Sequence, residues 1–91
     1  MIMKNNFKTT FGVGYDTADT LIQIVQMEAR IEALEQACEQ KSEGRPFDLM
    51  LLSPVFFPEI KKSKPGYDIA QVDEYISGLK DRLRTLELSL R

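Results

Sequence analysis

The feature that most restricts how this 91-residue chain can fold is an internal repeat, because Gly14-Tyr15-Asp16 recurs as Gly66-Tyr67-Asp68 at an offset of 52 positions. With that offset held and no gaps, Ala18 falls on Ala70, Ile24 on Ile76, Met27 on Leu79, Arg30 on Arg82, Ile31 on Leu83, Leu34 on Leu86 and Glu35 on Glu87. Repetition of this kind marks one local unit used twice, each copy needing a neighbour to cover its apolar face. Any two amphipathic helices align tolerably once their apolar stripes are matched, but the coincident Arg and Glu lie outside the stripe.

The second unit has the cleaner period. Ile69, Val72, Ile76, Leu79, Leu83, Leu86 and Leu90 alternate steps of three and four, the heptad spacing of a helix that pairs with another helix. Ile69, Ile76, Leu83 and Leu90 take one seam position, with Val72, Leu79 and Leu86 at the other, a choice that suits a parallel two-stranded coil. The matching seam of the first unit is Thr20, Ile24, Met27, Ile31, Leu34 and Cys38, while Leu21, Ile22 and Val25 widen its apolar surface near the start. In a parallel register Arg30 meets Glu35 or Glu87, and Arg82 meets Glu87 or Glu35. Charge therefore does not decide whether the helices pair within one chain or between two.

Asp16 or Thr17, and Asp68, are placed to cap the two helices, and Gly14 and Gly66 just before them are read as sharp entries into the helix. Gly44 and Pro46 end the first helix, and Gly78 is a weak point inside the second. Between them, the segment from Pro46 to Pro58 is too apolar for a passive linker, and its three prolines exclude one long helix. It is expected to form a short helix or turn at Phe47 to Leu52 and then to run extended through Val55 to Lys64. A helix of about 24 residues is about 36 Å long, a distance such a connector can retrace. The expected fold is thus all-α: two helices of coiled-coil type at about residues 17–41 and 69–90, each preceded by a Gly-Tyr-Asp turn, joined by an apolar, Pro-containing connector. The chain divides into a first unit (1–41), the connector (42–64) and a second unit (65–91), together one compact domain.

Composition narrows the function. A formal net charge of −2 gives no reason to expect nucleic acid, and the absence of His with one Cys leaves neither an imidazole base nor a zinc constellation. No cofactor is expected. The carboxylates fall on solvated helix faces and no nucleophile has a recognisable base, so an enzyme is not expected. No apolar run reaches the roughly 18 residues that span a bilayer, and the start, MIMKNNF, lacks the apolar core of a signal peptide, which points to a cytoplasmic chain. Charge is unevenly spread: seven acidic residues face Arg30 and Lys41 between Asp16 and Glu43, whereas Glu59 to Arg91 carries seven basic against six acidic residues.

Gly66-Tyr67-Asp68 followed by Val72-Asp73-Glu74-Tyr75-Ile76 resembles the amino-terminal domain of the DivIVA family, including its GpsB-type members. The first unit looks like a diverged copy, with Asn6-Phe7-Lys8-Thr9-Thr10-Phe11 as its lead-in and Thr20-Leu21 in place of the Val-Asp pair. The tandem arrangement departs from the family. The resemblance implies a parallel coiled-coil domain whose lead-in loops cross, acting as a cytoplasmic scaffold at division sites or poles, peripheral to the inner face of the membrane. It implies two binding surfaces. Phe11 and Val13, with Lys8 nearby, correspond to a membrane-contacting loop; the alternative is that Phe11 packs on the first helical turn. Tyr67 and Asp73 correspond to a site for arginine-containing tails of cell-wall synthases, although Ser77 stands at the next acidic position and Leu21 replaces the acid in the first unit. The partners so implied are a second copy or the chain's own helix, cell-division or wall-synthesis proteins, and the membrane surface. The competing reading is a free-standing oligomerisation or regulatory module that docks on another protein through its apolar 47–57 segment.

Overall fold

A computed structural model describes residues 7–91; residues 1–6, including Asn6 of the lead-in and the start of the first unit, lie outside the described residues. Asp16 and Asp68 each open a helix. Asp16 Oδ2 accepts from the Asp19 amide at 2.8 Å and Asp68 Oδ2 from the Gln71 amide at 3.0 Å, so each carboxylate satisfies an amide that has no partner within its own helix. The helices are α1, Thr17–Ser42 (26 residues), and α2, Ile69–Leu90 (22 residues). α1 stops where Gly44 takes φ 72°, with Arg45 N–H donating to Gln40 O at 2.8 Å and Gly44 N–H to Lys41 O at 3.1 Å. That left-handed residue is open to glycine without strain, and the two bonds absorb carbonyls the helix leaves free.

The helices lie side by side and parallel. Tyr75 O–H donates to Glu28, Arg82 pairs with Glu35, and Lys41 reaches Leu90 O, so positions rising along α1 meet positions rising along α2. Between them Ile24, Met27, Leu34 and Ala37 of α1 bury against Val72, Ile76, Leu83, Leu86 and Leu90 of α2, with Ile31, Cys38 and Leu79 partly covered at the margin. Ile69 is half-buried at the start of α2. Ile22 and Val25 stay more than half exposed, at 54% and 58%, so the wider apolar face of α1 is not covered within the chain.

The connector follows the expected path. Asp48 caps a 3₁₀ turn at Leu49–Leu52, whose Leu51 and Leu52 pack on the core together with Phe47, and Phe57 and Ile60 cover it farther along. Arg30 donates to Leu51 O at 2.9 Å and Ser53 O at 3.1 Å, which removes it from the interhelical ion pairs anticipated for it. Arg82 keeps its role, 2.8 Å from Glu35.

One expectation is corrected. The Gly-Tyr dipeptides are not turns in an all-helical fold but strands: β1 (Thr9–Thr10), β2 (Gly14–Tyr15), β3 (Lys62–Ser63) and β4 (Gly66–Tyr67) form a small sheet in the order β1-β4-β2-β3, with antiparallel pairing throughout. The two units exchange their lead-ins, β1 pairing with β4 and β3 with β2, around a central Tyr15–Tyr67 pair. The exchange is two-fold in its bonding. Lys61 N–H donates to Asp19 Oδ2 and Lys8 N–H to Gln71 Oε1, both at 2.8 Å, while Lys61 O receives the Asp16 amide and Lys8 O the Asp68 amide, both at 2.7 Å.

The role assigned to Gly14 and Gly66 changes too, since among the described residues only Gly44 has a positive φ. A Cβ on Gly66 would lie 2.6 Å from Tyr15 O and 2.7 Å from Gly14 C, and one on Gly14 would lie 2.8 Å from Gly66 C. The glycines let two backbones cross in contact, rather than turning the chain into its helix.

Candidate partner-binding site

Strand exchange lays β2 alongside α2, so the tyrosine of the first unit meets the carboxylate of the second: Tyr15 O–H donates to Asp73 Oδ1 at 2.6 Å. That bond, with partial burial and the negative charges of Asp73 and Glu59, pushes the Tyr15 phenol up to about 12. A phenol held protonated beside a carboxylate leaves Asp73 with acceptor capacity for a further donor.

The pair stands in a cleft of about 270 Å³ whose lining includes Gln23, Phe57, Glu59 and Lys62. Gln23 is 4% exposed, and its amide Nε2–H donates to Pro58 O. Its Oε1 is buried and has no hydrogen-bond partner among the described residues. A buried amide oxygen without a donor is costly, and an arriving N–H group would relieve it. The cleft therefore presents the Asp73 and Glu59 carboxylates, with the Gln23 oxygen buried beneath its surface, Phe57 as an apolar wall and Lys62 and Lys80 also in its lining.

Of the two residues expected to act together, Tyr67 and Asp73, the latter accepts its hydrogen bond from Tyr15. Tyr67 packs on Phe7 with ring centroids 5.4 Å apart, and Phe7 in turn meets Tyr75 edge-on at 5.8 Å. The position equivalent to Asp73 is Leu21, which offers no acceptor, so the acidic cleft exists on one side of the pseudo-symmetric pair. Tyr15 as the partner of Asp73 was missed because the exchange of lead-ins leaves no periodic signal in four two-residue strands. Gln23 was missed because it adjoins the seam and reads as a solvated polar residue.

At the loop between β1 and β2, Phe11 is 98% and Val13 58% exposed, and Lys8, just before β1, is exposed as well. Phe11 does not pack on the first helical turn. Every residue of the interhelical seam is buried or half-buried within the chain. Among the described residues there is no group of three or more Cys, Asp or Glu placed to hold a metal ion, and no helix is long and apolar enough to cross a membrane. No family model matches the chain, and neither the curated proteins nor the solved structures yield a significant match to it.

Proposed function

We propose that the chain is a non-enzymatic scaffold that recruits partner proteins near the inner face of the membrane, in the manner of the DivIVA-type domain it resembles. In this reading α1 and α2 are an intramolecular coiled coil, and one chain does what two copies do in a homodimer. The observation that carries it is the reciprocal exchange of β1 and β3 between the two units, with the apolar seam closed inside the same chain. Such a rod, 52 × 23 × 17 Å, is a rigid platform whose working surfaces are its cleft and loop tip.

The recruited element is an arginine-containing tail from a cell-division or wall-synthesis protein. Its guanidinium would enter beside Tyr15, donating to Asp73 and to Gln23 Oε1, the charge-assisted geometry in which arginine exceeds lysine. Phe11, exposed beside Val13 and Lys8, supplies an apolar and basic tip for an anionic lipid surface.

Calorimetric titration with a short arginine-containing peptide tests the cleft. The expected result is one peptide per chain, with Asp73→Ala weakening binding about ten-fold or more while the protein stays folded at the temperature of the titration. An unchanged isotherm removes Asp73 from the site, and no binding to the unaltered protein overturns the recruitment reading.

A further inference from the structure

The two flanks of the helix pair are related by the same offset of 52 positions that relates the two units. On one flank a groove of about 390 Å³ is lined by Arg30, Lys80, Leu83, Arg84 and Glu87, and by Val55, Phe56 and Phe57 of the connector. On the other, a second groove of about 390 Å³ is lined, among the described residues, by helix side chains alone. Its Arg82, Glu28, Ile31, Glu32 and Glu35 are the mates of those five helix residues in turn, and its Leu79 is the mate of Met27. One feature is thus made twice, and the connector fills it once.

Burial records the difference. Leu83 and Met27, beside the connector, are 7% and 2% exposed, whereas their mates Ile31 and Leu79 are only half-buried. An extended segment laid over the second groove would remove that remaining apolar area from water. The flanking charge is reversed as well, since Glu28 and Glu32 stand where the first groove has Lys80 and Arg84. Glu28 accepts from Tyr75 and Glu35 pairs with Arg82, while Glu32 has no hydrogen bond or ion pair among the described residues. Three carboxylates against one guanidinium leave the rim acidic.

The chain meets the second groove as the connector meets the first. Lys8 and Lys61 make matching bonds to opposite helices, and just before them Phe7 and Ile60 both pack on the core. Phe7 touches Tyr75 edge-on, and Tyr75 donates to Glu28 at the margin of the groove. Ahead of Ile60 the connector passes Pro58, held by Gln23, and lines its groove; ahead of Phe7 the sequence reads Met1-Ile2-Met3-Lys4-Asn5-Asn6. With the two lysines aligned, Ile2, Met3 and Lys4 correspond to Val55, Phe56 and Phe57.

We infer that Ile2 and Met3 seat over Ile31 and Leu79, with Lys4 facing Glu28 and Glu32, so that the segment ahead of Phe7 covers the second flank as the connector covers the first. Six extended residues reach about 20 Å, whereas Glu28 to Glu35 spans about 10 Å of helix. Attachment at Phe7 holds the segment at the mouth of the groove, which favours it over any free chain of the same chemistry. The arginine cleft lies on the connector's flank, and neither reading depends on the other.

Nuclear Overhauser effects in the full, methyl-labelled chain read the proposal. The Ile2 δ1 methyl should give cross-peaks to methyls of Ile31 and Leu79. Ile2→Asp should shift the Ile31 and Leu79 resonances and leave those of Leu83, in the mate groove, in place. Lys4→Glu should cut the cross-peak intensity about two-fold or more, and Lys4→Glu combined with Glu32→Lys should restore it. An unaltered protein without these cross-peaks overturns the proposal, as do Leu79 resonances indifferent to Ile2→Asp. Cross-peaks found only between differently labelled chains in a mixed sample overturn it too, because they put a second copy in the groove. A double variant no better than Lys4→Glu alone refutes the pairing of Lys4 with Glu32.

Discussion

Replacing Gly66 with alanine places a methyl carbon 2.6 Å from the Tyr15 carbonyl oxygen and 2.7 Å from Gly14 C, where ordinary contact begins at 3.4 Å. Both neighbours are backbone, so no side-chain rotation relieves the clash. The crossing strands must separate by roughly 0.8 Å, the difference between 3.4 and 2.6 Å. Overpacking of this kind costs about 1–3 kcal/mol, and weakening the central β2–β4 bonding adds about 1 kcal/mol. A total of about 2–4 kcal/mol is a large part of the stability of a small domain and lowers Tm by roughly 10–25 °C. Gly78→Ala is the matched control. It sits in α2 with no heavy atom within 4 Å of the added carbon, so the same methyl should raise stability, by up to about 1 kcal/mol, through helix propensity alone. Thermal melts followed by circular dichroism at 222 nm read both variants. A Gly66→Ala protein as stable as the parent, or a Gly78→Ala protein as damaged as Gly66→Ala, would refute the claim that close backbone crossing is what requires glycine at position 66.

The Tyr15–Asp73 bond gives a pH signature. The folded phenol titrates at about 12 against an ordinary value of 10.0, so its contribution to stability is complete below pH 10 and is lost as pH rises toward 12. Asp73→Asn should return one of the three tyrosines to near-normal titration in absorbance at 295 nm, and an unchanged curve would show that another group holds the phenol. Lys41, in the last turn of α1, donates to the carbonyls of Ser89, Leu90 and Arg91, which α2 leaves unpaired. Lys41→Gln should cost about 0.3–1 kcal/mol and speed amide exchange in the final turn of α2, leaving its first turn unchanged; equal exchange in both variants would deny the cap.

The long elements were legible because helices carry a period. The repeat offset and the buried run from Val72 to Leu90 fix two helices and their facing edges, and Gly44 fixes where the first one ends. The sheet was not legible, since strands of two residues hold no alternation to read. The register of the exchange also breaks the offset: Lys8 corresponds to Lys61 in its bonding, 53 positions away, while Asp16 corresponds to Asp68, 52 away. The missing residue lies in the loops that carry the chain from one strand pair to the other, Phe11-Gly12-Val13 in the first unit against Lys64-Pro65 in the second. Arg30 is the converse case. Its position in the repeat points to an ion pair with glutamate, but the carbonyls of Leu51 and Ser53 lie within reach and only the folded connector brings them there.

Joining the two units in one chain also frees each half to change without its mate. In a pair of identical subunits, every substitution appears twice and any binding feature comes with a valency of two. Here Asp73 answers Tyr15 on one flank while Leu21 occupies the mirrored place on the other, so the particle is one-handed. The helix pair forms within one chain and so is assembled whatever its dilution, and the Tyr15–Asp73 cleft occurs once per chain.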